Sequence, residues 1–254
     1  GVPAEELPEI VAKKLAWLDI GLLRVRTAVV LVLFVGIAWA AGAWSRRPPS
    51  TGLAAGALMV FGIGVTVFTV DWLMAFEPKF YSTIYAAMHG SGAVVAALGL
   101  GTLWLWMAEG DAQRLGDCGM LMLGWAMVWL YMAFMQYLVI WSGDLPVEIG
   151  WYLARIGEGW RVVLWVAVAA HVGAIAAMSS PTLKQRPAVV AATAGALLVG
   201  QAADFWWRTA PAFEREGWLA GALDVAAVAT LGGLWLAAAI VSGSAGERRE
   251  ARHG

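Results

Sequence analysis

The chain has 254 residues, of which 61% are hydrophobic and only 14% are charged. Soluble domains carry about a quarter charged residues, so this composition excludes an ordinary soluble protein and indicates a chain solvated by lipid. The net charge of −1 supplies no basic surface, and we therefore expect no nucleic-acid partner. The single cysteine, Cys118, excludes an internal disulfide and a cysteine-based metal cluster.

The N-terminal segment 1–26 alternates apolar and charged side chains. Ile10 and Leu15, for example, lie among Lys13 and Asp19. The pattern predicts an amphipathic helix at the membrane surface, and a docking helix for a partner subunit explains it equally well. The segment has no continuous apolar core and no small-residue cleavage site, so we do not interpret it as a signal peptide.

Seven windows are apolar and long enough to cross a membrane, since 18 to 25 residues of helix cover roughly 27 to 38 Å. They are 27–44, 53–76, 84–107, 119–141, 161–178, 188–207 and 218–242. The sequence therefore predicts an all-α integral membrane protein, a bundle of about seven transmembrane helices over 27–242 with a polar tail at 243–254. The longest connection, 142–160, has room for a short interfacial helix.

The basic residues predict an orientation through the positive-inside rule. We call the two faces of the membrane the odd side and the even side, after the connections that lie there. The odd-side connections hold Arg46 with Arg47 and Lys184 with Arg186, and the tail is also basic. The rule places the odd side and the C-terminus in the cytoplasm of a bacterial inner membrane, although Lys13 and its neighbours in the N-terminal segment oppose this orientation.

Ionisable and strongly polar residues within the windows are costly in hydrocarbon, so each must pair or serve a function. Because alternate windows run in opposite directions, nearly all of them fall at the even side: Asp71, His89, Gln136, Arg161, Asp204 and Asp224. Glu77 and Arg208 lie at the same side, just beyond the ends of their windows. His171 lies mid-window and alone. Arg161 and Arg208 are the predicted counter-charges of Asp71, and His89 is its predicted proton partner.

Two interpretations of this even-side set stay open. In the first, the residues line a polar site for proton exchange in the non-cytoplasmic half of the membrane. In the second, they cap helix ends and form ion pairs at the level of the lipid headgroups.

The histidines argue against a haem. His89 and His171 differ in depth by roughly a turn and a half, whereas two axial ligands must lie at matching depth. We therefore expect this chain alone to bind no haem, iron–sulfur cluster or copper, while quinone or quinol stays a candidate ligand. Gly90, Gly92 and Gly99 give window 84–107 a small-residue face that favours close helix packing.

Window 53–76 ends in a recognisable pattern. It reads Asp71-Trp72, Met74, Glu77-Pro78 and Ser82-Thr83-Ile84. This spacing resembles the signature of ActF, the NrfD-like quinol:cytochrome c oxidoreductase membrane subunit of bacterial alternative complex III. The resemblance covers roughly 60–215, including the stretches 131–141, 144–148, 150–155 and 199–213. The chain departs from the signature at Ala75 and Lys79, and it resembles a shortened relative.

The resemblance implies an integral membrane subunit of a respiratory electron-transfer complex that passes electrons from quinol towards cytochrome c or a terminal oxidase. Such a subunit is not catalytic alone and works with haem and iron–sulfur partner subunits. It implies a quinol or proton-exchange region formed by the candidates Asp71, Glu77, His89, Gln136, Asp204 and Arg208. The alternatives are a purely structural, accessory subunit of a terminal-oxidase assembly and, less favoured because no internal repeat is evident, a transporter.

Overall fold

The computed structural model describes Lys14, Trp17 and residues 19–44, 49–77, 79–108, 111–157 and 159–213. This part of the chain is helical without strands, and six helices are long and apolar enough to span a membrane. The predicted all-α membrane bundle is therefore confirmed. The seventh predicted window with Asp224, the tail 243–254 and most of the N-terminal segment lie outside the described residues. The bundle of these helices lies within residues 1–212.

The helices are α1 (Ile20–Trp44), α2 (Thr51–Phe68), α3 (Ile84–Ala108), α4 (Ala112–Gly143), α5 (Pro146–Leu153), α6 (Trp160–Ser179) and α7 (Pro187–Thr209). A π-helical turn, Thr69–Leu73, and a 3-10 turn, Met74–Phe76, extend α2, and a 3-10 turn, Ala210–Phe213, extends α7. All of them except α5 belong to membrane spans. Helix α5 is the short helix for which the fourth connection has room.

Local sequence sets where these helices begin. The Asp111 carboxylate caps α4 by accepting hydrogen bonds from the backbone N–H groups of Gln113 and Arg114. Pro146 and Pro187 occupy the first positions of α5 and α7, where the missing N–H costs nothing.

The core lies between α3, α4, α6 and α7, which pack on one another. Its fully buried side chains come from all four helices and include Val95, Met122, Trp129, Met178 and Leu197.

Helix α3 approaches α7 closely because two glycines face it. A Cβ atom at Gly92 would lie 2.5 Å from Oε1 of Gln201, and one at Gly99 would lie 3.2 Å from the Ala194 carbonyl oxygen. The small-residue face predicted for this window therefore does bring two backbones together. Gly101, on the same helix, has open space beside it.

Helices α1 and α2 form a hairpin beside this core. A Cβ atom at Gly64 would lie 2.6 Å from the Phe34 ring, so the glycine allows close contact between the two helices. Most other side chains of the hairpin are exposed, as in a helix surrounded by lipid. The first helix begins at Ile20 rather than at residue 27, so the stretch 20–26 continues the span instead of lying in a separate surface segment.

Replacing Gly99 by valine should destabilise the bundle, because the new side chain meets the Ala194 carbonyl and Leu198. Overpacking of this kind costs about 1–3 kcal/mol and should lower the melting temperature of the detergent-solubilised chain by several degrees. The matched control is Gly101→Val, which adds the same side chain where no atom lies within 4 Å. Equal melting temperatures for the two variants would contradict the packing of α3 on α7.

Candidate functional site

A bidentate ion pair joins the turn after α2 to the end of α5. Nη1 and Nη2 of Arg155 donate to Oε1 and Oε2 of Glu77 at 3.1 and 2.7 Å. The arginine side chain is fully buried, whereas the Glu77 side chain is 25% exposed. Glu77 therefore lies where the even-side surface meets the interior, and its charge is neutralised there by a guanidinium.

Arg155 also connects elements beyond this pair. Its Nη1 donates to the Trp151 carbonyl at 2.8 Å, and its Nη2 donates to the Arg208 carbonyl at 2.7 Å. The guanidinium lies 3.8 Å above the Trp151 ring, and the Trp207 indole N–H donates back to the Arg155 carbonyl at 3.0 Å. This one side chain thus fixes α5 and the end of α7 against the turn that carries Glu77.

The end of α7 supplies a second ion pair. The Arg208 guanidinium donates to the Asp204 carboxylate one turn earlier, and both side chains are buried. Its Nη1 also lies 3.0 Å from Nδ1 of His89 on α3. Asp204, Arg208 and His89 are therefore brought together, and Arg155 links them to Glu77.

The two ring nitrogens of His89 have different surroundings. Nδ1 lies 3.0 Å from the Arg208 guanidinium, which only donates, and 3.0 Å from the Tyr85 carbonyl oxygen, which only accepts. Nε2 is buried and has no hydrogen-bond partner among the described residues, and the same holds for Nε of Arg155 and Nε1 of Trp151. His89 thus presents a buried ring nitrogen available to a polar group from outside this part of the chain.

Asp71 belongs to a separate cluster at the same side. Its carboxylate accepts from Nε and Nη2 of Arg26 on α1, at 2.8 and 3.0 Å, and from the Trp17 indole at 2.7 Å. The prediction that Arg161 and Arg208 are its counter-charges and His89 its proton partner is therefore wrong. The π-helical turn directs Asp71 towards α1, whereas His89 and Arg208 lie between α3 and α7.

Arg161 takes no part in either cluster. Its Nε donates to the Ile156 carbonyl at 2.8 Å, and the side chain is exposed beside the start of α6.

The loop that follows Glu77 is held at several points. Ser82 donates to the Gln136 side chain on α4, and Gln136 is buried. Tyr81 hydrogen-bonds to Glu148 on α5, which raises the pKa of the tyrosine.

Aromatic and N-terminal contacts close the same loop. The Phe80 ring stacks on Trp151 with 4.9 Å between centroids, and Lys14 donates to the Phe80 carbonyl at 3.0 Å. Burial lowers the pKa of Lys14 and raises that of Tyr152 on α5. Lys14, the loop and α5 are thereby tied together at the even side.

The sequence predicted that His171 lies alone, but three helices meet at its ring. Nε2 accepts from the Gln201 amide at 2.8 Å, and Nδ1 lies 2.8 Å from the Ala167 carbonyl. The ring stacks on Trp129 with 3.6 Å between centroids. With both nitrogens satisfied and the side chain fully buried, His171 packs the core.

Sequence reasoning missed three members of these clusters, Arg26, Arg155 and Gln201. Charge balance is the signal that points to the arginines: three even-side carboxylates, Asp71, Glu77 and Asp204, need three cations. Gln201 lies two turns before Arg208 on α7. Its amide donates to Nε2 of His171.

Other binding features are few in the described part of the chain. No group of three or more His, Cys, Asp and Glu side chains there is arranged to hold a metal ion. An apolar groove of about 320 Å³ lies between α2, α3 and α4, lined by residues that include Phe61, Ala97, Gly101 and Cys118. It lies towards the odd side and is separate from the even-side clusters.

Comparison with protein-family models and with curated proteins finds no match to this chain.

Removing the charge of Glu77 should destabilise the protein far more than removing that of an exposed carboxylate. Glu77→Gln leaves the buried Arg155 without a counter-ion, which costs about 3 kcal/mol. The matched control is Asp111→Asn: its pair with Arg114 is exposed and contributes less than about 1 kcal/mol, and asparagine caps a helix equally well. Unfolding of both purified variants in detergent measures the difference, and similar midpoints would contradict the role given to Arg155.

Proposed function

We propose that this chain is an integral membrane subunit of a bacterial respiratory complex that oxidises quinol and passes electrons towards cytochrome c or a terminal oxidase. Its contribution is a quinol or proton-exchange region at the even side. Haem and iron–sulfur centres belong to partner subunits, and this chain alone carries none of them.

The observation that carries this proposal is the buried, unpartnered Nε2 of His89. This imidazole nitrogen beside the Arg208–Asp204 pair suits a quinone carbonyl when it carries the ring proton and a quinol hydroxyl when it does not. Glu77 lies at the partly exposed edge of the same network, where a carboxylate is accessible to protons from the aqueous side.

The contacts of the signature residues support the resemblance to the ActF-type subunits. Asp71 and Glu77 each bind an arginine, Trp72 donates to Thr27 at 3.0 Å, and Ser82 donates to Gln136. Residues spaced along one segment thus fasten it to α1, α4 and α5.

The alternative function is a purely structural, accessory subunit, and a specific observation favours it. The carboxylates Asp71, Glu77 and Asp204 are each bound by an arginine. Fully paired carboxylates serve architecture as readily as chemistry.

The proposed orientation rests on the basic residues of the odd-side connections. The odd side, with Lys184 and Arg186 in a compact loop, is the cytoplasmic side in this proposal.

Cysteine labelling in whole cells tests the orientation. In a Cys118→Ser background, Ser142→Cys at the even side should react with a membrane-impermeant thiol reagent, and Gln185→Cys at the odd side should not. Both positions are exposed, so both should label once the cells are lysed. Labelling of Gln185→Cys alone in intact cells would invert the orientation.

Turnover of the purified complex tests the function. We expect His89→Gln to leave the yield of complex unchanged and to lower quinol-dependent turnover per complex about tenfold or more, equivalent to about 1.4 kcal/mol. Asp71→Asn serves as the contrast. It breaks the pair with Arg26 and should lower the yield while each surviving complex turns over normally.

The measurement is specific activity per assembled complex beside the amount of complex recovered through a tag on this chain. Normal turnover in His89→Gln would remove the quinol role and leave the accessory one.

A further inference from the structure

Helix α4 has two faces of different character. One face repeats every three or four residues and is buried in the bundle: Leu115, Gly119, Met122, Ala126, Trp129, Gln136 and Ile140. The opposite face is exposed over residues 120–134. Tyr131 lies about 200° around the helix from Trp129 and therefore at the centre of this outer face.

Tyr131 lies inside the hydrocarbon layer. It precedes the end of α4 at Gly143 by about 18 Å and follows the start by about 28 Å, while the layer is about 30 Å thick. Its neighbour Trp129 packs against Gly92, more than two turns inside α3. Helical side chains tilt towards the N-terminus, so the Tyr131 hydroxyl points deeper into the membrane and away from the even-side surface.

The Tyr131 hydroxyl has no hydrogen-bond partner among the described residues, and the side chain is 58% exposed. The Trp125 indole, on the same outer surface, is likewise exposed and unpaired within that part of the chain. Two tyrosines nearer the even-side surface, unlike Tyr131, contact other side chains. Tyr81 hydrogen-bonds to Glu148, and Tyr137 packs edge-on against the ring of Tyr152.

A polar donor at this depth indicates protein rather than lipid. Acyl chains carry no acceptor, and the carbonyl groups of phospholipids lie at the interface, far from the middle of the layer. A neighbouring transmembrane helix with a serine, threonine, asparagine or glutamine at mid-membrane depth supplies an acceptor. Gly124, two turns from Tyr131 on the same face and with open space beside it, lets such a helix approach closely.

We propose that the outer face of α4, residues 120–134, is the contact surface for a transmembrane helix of another subunit, with Tyr131 donating a hydrogen bond to a polar side chain on that helix. This inference rests on the proposed function, because a respiratory complex needs such partners, and it names where one of them binds.

Photocrosslinking in the native membrane tests the contact. Benzoylphenylalanine placed at position 131 of the full chain should link to one other membrane polypeptide. Gly124→Leu fills the open space beside Gly124 and should abolish that link. Tyr131→Phe removes only the hydroxyl and should reduce the partner retained in mild detergent by about threefold.

Tyr137→Phe is the matched control and should retain the partner at the wild-type level. Adducts with lipid alone, a link within one chain to residues 218–242, a product that joins two copies of this chain, or full partner retention in both Tyr131→Phe and Gly124→Leu would each overturn the proposal. Both variants lie outside the core, so unchanged melting temperatures should accompany the loss of partner. If a partner crosslinks but the complex has no quinol-dependent activity, the proposed function is refuted and this interface is not. If the complex is active but no partner crosslinks at position 131, the interface alone is refuted.

Discussion

The even side of the bundle depends on the buried charge of Arg155. A guanidinium removed from water is tolerated only where carboxylate and carbonyl oxygens surround it. Glu77, the Trp151 carbonyl and the Arg208 carbonyl meet this need from three separate elements. Satisfying one cation therefore fixes the turn after α2, the end of α5 and the end of α7. The position of Arg208, and through it the contact with His89, follows from this arrangement.

Three buried nitrogens of the even-side clusters have no hydrogen-bond partner in the described part of the chain: Nε2 of His89, Nε of Arg155 and Nε1 of Trp151. Around them, three carboxylates neutralise three arginines, so the described even-side clusters carry little net charge despite their many ionisable residues. His171 has both ring nitrogens satisfied and packs the core. The ring of His89 instead keeps a buried Nε2 without a hydrogen-bond partner in the described part of the chain. Ion pairs that are costly to break thus hold this imidazole in place, an arrangement typical of preorganised binding sites.

The spans were predictable from the sequence, and the partners within the clusters were not. Apolar length alone locates a membrane helix, which explains why six windows agree with the structure to within several residues at each end. Depth along a helix is equally readable, and it placed His89, Asp204 and Arg208 at one level. Rotation about the helix axis is not readable from one sequence. The π-helical turn at Thr69–Leu73 changes that rotation, and Asp71 consequently faces Arg26 on α1 rather than Arg208.

Exposure has a different meaning in lipid from its meaning in water. An exposed apolar side chain such as Val32 needs no explanation, because lipid solvates it as well as protein does. An unpaired polar group in the same layer has no solvent to bond, whether it faces inward like His89 or outward like Tyr131. We propose a small ligand enclosed by helices for the inward group and another helix for the outward hydroxyl, because only a protein surface brings an acceptor to an open helix face at that depth.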